Sequence, residues 1–143
     1  MAHVRQQVRE RAGTILTGLS LTGSNVFESR LYPLIDADLP CILITTDGEE
    51  IIESTVSGVV QRSILLNIAV KDKLTTDLDD RIDAISIEIE AAIANDTSQI
   101  LRHAALVDVE IEIDPEGDQP IGTAKLLYRV QAFTAPNDPE TLI

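Results

Sequence analysis

The chain has 143 residues, and its 11 Lys and Arg against 24 Asp and Glu give a formal net charge of −13. This length is typical of one domain and allows a buried core without disulfides. Because nucleic-acid affinity grows from cations that neutralise phosphates, so acidic a surface excludes tight nucleic-acid binding.

Apolar residues at helical spacing open the chain and predict an amphipathic helix that ends near Gly18. They are Val4, Val8, Ala12, Ile15, Leu16 and Leu19. The residues before and within this helix lack the apolar stretch of a secretion signal. No apolar run approaches the roughly 18 residues of a membrane span. We therefore expect neither secretion by a signal peptide nor membrane insertion.

A proline-containing segment from Val26 to Asp38 follows and is predicted to be irregular, because proline disfavours helix at the residue before it. The run CILITT after it indicates a buried strand. Its Cys41, the single cysteine of the chain, is predicted to be a buried small hydrophobe, as fits a reducing cytosol. Residues 45–58 are charged and punctuated by glycine, which predicts a long loop or a flexible hairpin tip.

Two strongly periodic segments occupy the middle of the chain. Residues 62–71 alternate as a strand does, with Leu65 and Ala69 indicating partial cover on the second face. Residues 78–93 carry a helical apolar stripe, for which Thr76 is the predicted N-cap. The aspartates of the first turn complement the helix dipole, which we favour over a metal cluster. The stripe consists of Leu78, Ile82, Ile85, Ile89 and Ile93.

The last part of the chain predicts a β-hairpin around a wide turn at residues 115–122. In its first strand Val107, Val109, Ile111 and Ile113 point one way, and Asp108, Glu110, Glu112 and Asp114 point the other. In the return strand Lys125 and Arg129 are expected to face these acids. The acidic face either is solvated, which we favour, or meets arginines of a neighbouring subunit.

The order helix, strand, strand, helix, strand, strand predicts an α+β, two-layer fold. Its mainly antiparallel sheet of about four strands would carry the two helices on one face. We expect a single domain over residues 1–135 and a flexible C-terminal tail over residues 136–143, which holds two prolines and little to bury.

Motifs of catalysis or metal binding do not emerge from the sequence. Neither His3 nor His103 has a companion at metal-ligand spacing, and both are expected to be surface or cap residues. The glycines near residue 18 precede no Gly-Lys-Ser/Thr, which excludes a phosphate-binding loop. Ser57 before Gly58 lacks the surroundings of a nucleophile elbow. We expect no enzymatic activity, no metal and no cofactor.

An ordered series of segments resembles the phage tail terminator family, that of the lambda minor tail protein U. The series runs from about Val4 to Thr134 and begins with a helix followed by VFESRLYPL. Its most specific parts are Arg30, Tyr32 and Pro33, the Leu-Pro before CILI, and the loop and strand up to Lys71. The helix that opens DLDDRID and the acidic hairpin that ends LLYRV complete it.

The resemblance implies a structural protein of a long-tailed phage. Members of the family are α+β domains that form a hexameric ring on the completed tail tube and stop its polymerisation. The implied partners are further copies of the chain, the tail tube protein and the head-completion or neck protein. The implied location is the head-proximal end of the virion tail, after assembly in the host cytoplasm. DNA would pass through the ring without specific binding. Carboxylates that line the bore would keep the duplex from adhering to it.

Candidate interface residues follow from this resemblance and from residue type. Arg30 and Tyr32 are common interface anchors, and Pro33 stiffens their segment. The alternative is that Tyr32 closes the core edge while Arg30 is solvated. Ile51 and Ile52 stand among acids in the expected loop, where a neighbour could order them. The acidic turn residues Glu116 and Asp118 complete the set.

Two other functions stay open at the level of the sequence. One is a neck or head–tail connector subunit, which shares the small α+β character. The other is a small acidic enzyme or ligand-binding module, which would need a concave pocket with convergent polar groups.

Overall fold

A computed structural model describes residues 2–28, 38–54, 58–73, 77–101, 103–114 and 121–143. These residues form two α-helices and a six-stranded sheet. The helices are α1 (Val4–Leu16) and α2 (Leu78–Ala94). The strands are β1 (Val26–Phe27), β2 (Cys41–Ser54), β3 (Val60–Lys73), β4 (Ala104–Asp114), β5 (Ile121–Ala135) and β6 (Asp138–Leu142).

The sheet has the order β1-β2-β3-β5-β4, and β6 pairs with the far end of β5. Only the β1–β2 pair is parallel among the described strands, and every other pair is antiparallel. The predicted mainly antiparallel α+β fold is therefore confirmed, whereas the expected number of about four strands is wrong. The two additional strands, β1 and β6, have two and five residues, too few to show a clear period in the sequence.

Helix α1 buries Val4, Val8, Ala12 and Leu16 of the predicted stripe. Ile15 is partly buried, and Leu19, also partly buried, lies past the end of the helix at Leu16. The helix begins after His3, whose Nδ1 accepts a hydrogen bond from the backbone N–H of Arg5 at 3.1 Å. This bond satisfies one of the amides that a helix leaves open at its N-terminus. His3 is therefore a cap residue, as expected, and burial followed by the charge of Arg5 lowers its pKa.

Helix α2 buries all five predicted stripe residues. The residue at its N-cap is Asp77, in a left-handed conformation with φ of 56° and without a side-chain cap bond. The expected cap, Thr76, lies outside the described residues. Asp79 and Asp80 occupy the first turn, as predicted.

Both helices cover one face of the sheet, as the sequence predicts. That face presents Ile42 and Ile44 of β2 and alternate residues of β3 and β5 to the helices. Past the C-terminus of α2, the buried carboxylate of Asp96 accepts a hydrogen bond from Arg11 of α1 at 2.6 Å. Burial raises the pKa of Asp96, but the bonds from Arg11 and Ser98 outweigh it and lower that pKa overall.

Two segments differ from their predicted structure. Residues 45–54, expected in a loop or hairpin tip, continue β2 as a strand paired with β3. Residues 138–142, in the segment expected to be a flexible tail, form β6, and Gln7 of α1 donates to the Glu140 carbonyl at 2.6 Å. No helix in the described ranges is long and apolar enough to cross a membrane.

Candidate functional site

Strand β4 is the most exposed element of the sheet. Every side chain from Ala105 to Ile113 is exposed, on both faces of the strand. One edge of β4 pairs with β5, and no strand in the described part of the chain pairs with its other edge. We call the surface formed by residues 105–113 and this open backbone edge the β4 edge.

Large apolar side chains form a row on the β4 edge. Val109, Ile111 and Ile113 are 45%, 51% and 45% exposed. They lie across from Leu126, Ala124 and Gly122 of β5, so they belong to the face that the helices cover elsewhere. These three residues share one face, as predicted, whereas Val107, the fourth residue of the predicted set, lies at a register shift of β4.

The position of α2 explains this exposure. The helix packs over β3 and β5, and it approaches β5 so closely that a Cβ built on Gly122 would lie 2.6 Å from Ile82 Cδ1. Glycine at that position lets Ile82 and Leu78 rest directly on the β5 backbone. The apolar side chains of β4 therefore stand beyond the helix instead of beneath it.

A β-bulge shapes the first part of the β4 edge. The register shifts between Leu106, which lies across from Tyr128, and Asp108, which lies across from Leu127. Val107 is the extra residue and is 44% exposed. Such bulges bend a strand and increase its twist.

The opposite face of β4 is acidic. Asp108, Glu110 and Glu112 are all exposed on it, and Glu110 lies across from Lys125 as predicted. Arg129, the second cation expected to face these acids, instead lies across from Ala105. The acidic character extends over the open sheet face into a shallow depression of about 240 Å³. Its lining residues are Asp47, Asn67, Asp108, Glu110, Lys125 and Leu127.

A network of charged side chains joins the second half of β2 to α1. A bulge with Gly48 at φ 145° shifts the register of β2, and it brings Glu49 opposite Ile64 on the helix-covered face. Glu49 Oε1 accepts from Arg5 at 2.6 Å and from Arg62 at 2.8 Å. Arg62 also donates through Nε to Thr134 at 3.0 Å. This buried network ties β2 to α1, β3 and β5.

Ile51 is the one predicted interface residue whose side chain the structure describes. It lies in β2 across from Arg62, next to a second register shift, and is 50% exposed. Ile52 belongs to the same strand, but its side chain lies outside the described set. The remaining predicted residues, Arg30, Tyr32, Pro33, Glu116 and Asp118, also lie outside the described residues.

The exposure of the apolar row on the β4 edge was not predicted from the sequence. The alternation of apolar and acidic residues was visible in the sequence, but alternation does not tell whether a helix covers the strand. A cue was present in the regular acids at 108, 110 and 112, since a strand with such a face is more often peripheral than central.

The described residues contain no group of three or more His, Cys, Asp or Glu side chains arranged to hold a metal ion. Cys41 is fully buried, as predicted. Burial raises the pKa of its thiol to about 11, against a smaller lowering effect of Lys71. His103 is exposed and borders a small depression of about 130 Å³ with Gln99, Gln131 and Phe133.

Comparisons with known proteins find similarity among solved structures. No family model matches the chain, and no curated protein matches it. Among solved structures, the chain is similar to one from the "Virion of native gene transfer agent (GTA) particle", with a TM-score of 0.38 and 16% sequence identity. The alignment covers 90% of this chain and 92% of that chain.

Proposed function

We propose that this protein is a virion structural subunit of the tail terminator type. It forms a ring, with six copies as the expected number, on the completed tail tube of a long-tailed phage. The ring stops tube polymerisation and offers a surface to the head-completion protein. The proposal excludes an enzymatic role, because the chain acts by fitting against protein partners.

One observation carries the proposal: the ordered series of segments that resembles the family folds into the α+β layout that the resemblance implies. The first helix and the helix opening DLDDRID lie on one face of a mainly antiparallel sheet. The acidic hairpin and the strand that ends near Lys71 are neighbours in that sheet. This α+β layout supports the proposal, while residues 45–54, the loop of the series, are part of β2.

Exposed apolar surface supports an assembly role. Ile51 is half exposed on a strand that the Glu49 network holds in place, so the side chain is presented on a firm support. Rigid presentation lowers the entropy lost on association. We assign Ile51 to the contact between neighbouring copies and leave the β4 edge for other contacts.

Loss of the protein in an infected cell tests the function directly. A terminator limits tail length, so particles assembled without it should carry overlong tails in electron micrographs. Tails of normal length that never join heads would instead identify a connector subunit. Complete infectious particles would overturn both assignments.

A matched pair of variants tests the ring. Ile51→Glu places a charge in the assigned contact and should reduce rings seen by electron microscopy of the concentrated protein. Ile87→Glu is the control, since Ile87 is 68% exposed on α2 and away from β2. Equal ring formation by both variants would remove Ile51 from the contact. A wild-type protein that stays monomeric and does not bind the ends of purified tail tubes would contradict the terminator proposal.

A further inference from the structure

We infer that the β4 edge binds a strand of another polypeptide in which Lys or Arg alternates with apolar residues. The incoming strand would add to the sheet beside β4 by backbone hydrogen bonding. This inference does not rest on the proposed function, because it needs only the backbone, apolar and charged features of β4.

The backbone of β4 is suited to strand addition. The strand has 11 residues, about twice the usual strand length. An edge strand presents a row of N–H and C=O groups on its outer side, and proteins commonly cover such rows. Strand β6 does not cover this row. It pairs with Thr134 and Ala135 of β5, whereas the pairing of β4 with β5 ends at Val130.

The apolar row supplies one face of the contact. Val109, Ile111 and Ile113 are each 45–51% exposed, and all three lie on the side of the sheet that carries the helices. Alternate residues of an added strand would stand beside them on that side, since side chains alternate along a strand. Apolar side chains there would remove the row from water.

The acidic face supplies specificity. Glu110 has a cation across from it in Lys125, whereas Asp108 faces Leu127 and Glu112 faces Thr123. The intervening residues of an added strand would stand beside these carboxylates. Lys or Arg at those positions would complement their charge, and Asp or Glu would be repelled.

Charge disfavours a second copy of this chain as the added strand. Antiparallel pairing of two β4 strands would place their acidic faces side by side. The β2 edge of the sheet is also acidic, because Asp47 and Glu50 are exposed on β2 past its short pairing with β1. Like charges directly opposite one another destabilise a strand pair. A basic strand from a different polypeptide avoids this repulsion.

Binding of a labelled seven-residue peptide in which Lys alternates with Val tests the inference on the full chain. Fluorescence anisotropy measures affinity, and amide hydrogen exchange locates the site. We expect saturable binding that weakens as salt rises, with new protection confined to residues 104–114. A peptide of the same composition with its Lys and Val residues in separate blocks should bind at least tenfold more weakly. A peptide that alternates Glu with Val should not bind.

Two protein variants separate the β4 edge from general acidity. Glu112→Lys reverses one charge of the acidic face without removing the partner of Lys125. It should lower the affinity for the alternating peptide at least tenfold. Asp80→Lys makes the same charge change at an exposed position of α2 and should alter affinity less than twofold. Ile111→Ser should also weaken binding, by loss of the apolar contact. Thermal unfolding of each variant shows that it is folded.

Three results would overturn the inference. Equal binding of the alternating and block peptides would indicate attraction to net charge alone. Protection outside residues 104–114 would place the peptide elsewhere. Self-association that Ile111→Ser abolishes, together with no binding of the alternating peptide, would assign the β4 edge to a second copy. None of these results bears on tail length, so failure here is distinguishable from failure of the terminator proposal.

Discussion

Glu49 binds two arginines through a single oxygen. Oε1 accepts from Arg5 and Arg62, while Oε2 is buried without a hydrogen-bond partner. The side chains of Glu49 and Arg62 are only 13% and 11% exposed. Removing one member of a buried ion pair leaves the other charge buried without a partner. The resulting loss of stability is larger than that from replacing the whole pair by apolar residues.

We therefore predict that Glu49→Ala lowers the free energy of unfolding by about 3 kcal/mol, because Arg62 keeps its charge and loses its carboxylate. Urea denaturation followed by circular dichroism measures this change. Glu50→Ala is the control, since Glu50 is the exposed neighbour on the same strand, and a change within about 0.5 kcal/mol is expected. Similar losses in the two variants would show that the network contributes little.

Residue-level prediction from sequence succeeded where one local rule decides the outcome. Cys41 stands in an apolar run and is buried, and His3 precedes a helix and caps it. It failed for Glu49, which was predicted to lie in a charged loop or hairpin tip. Its burial depends on a register shift at Gly48 and on cations from α1 and β3, which are distant in the sequence.

At the scale of elements, the contact between α2 and β5 sets how far the core extends. Gly122 permits the close approach of Ile82 and Leu78, and that approach leaves β4 beyond the helix. Ile82 is fully buried, so it has little room to move. An additional methyl group at Gly122 should therefore lower the stability of the whole domain.

We predict that Gly122→Ala destabilises the protein by about 1–3 kcal/mol, since the new methyl would overlap Ile82 Cδ1. Adding Ile82→Val removes that atom, so the double variant should lose less stability than the sum of the two single variants. Thr123→Val, at the next position of β5, controls for a change of strand propensity. Additive losses measured by urea denaturation would show that the two sites do not clash.

The sequence was informative about single elements and less so about their neighbours. The period of α2 and β3 was strong enough to predict both their type and their buried face. The acidic part of β2 was predicted to be a loop or a hairpin tip, because it is charged and contains glycine. In the structure a bulge at Gly48 interrupts the alternation of this strand. The edge position of β4 depends on sheet order, and hydrophobic alternation holds no information about sheet order.

At the scale of the whole molecule, charge opposes compactness. The net charge is −13, and four described ion pairs use the arginines at positions 5, 11, 62 and 81. These four arginines therefore form ion pairs within the protein, while many carboxylates face water. Self-repulsion among those carboxylates destabilises the folded state.

We predict that raising sodium chloride from about 10 mM to about 200 mM increases the melting temperature, because the Debye length shortens from about 30 Å to below 10 Å. A rise of about 2–4 °C corresponds to about 1 kcal/mol for a domain of this size. Differential scanning calorimetry measures it. Sodium sulfate at matched ionic strength separates screening from salt-specific effects, and an unchanged or lower melting temperature in both salts would contradict the prediction.

The bulge at Val107 has a geometric consequence for anything that lies along β4. Past the bulge, pairing with β5 is regular from Asp108 to Asp114, a run of seven residues. At about 3.4 Å per residue this straight section spans roughly 24 Å. The local change of twist at the bulge marks one limit of that span. The backbone of β4 thus limits the length of strand that can pair along it. A longer strand would separate from β4 at the bulge.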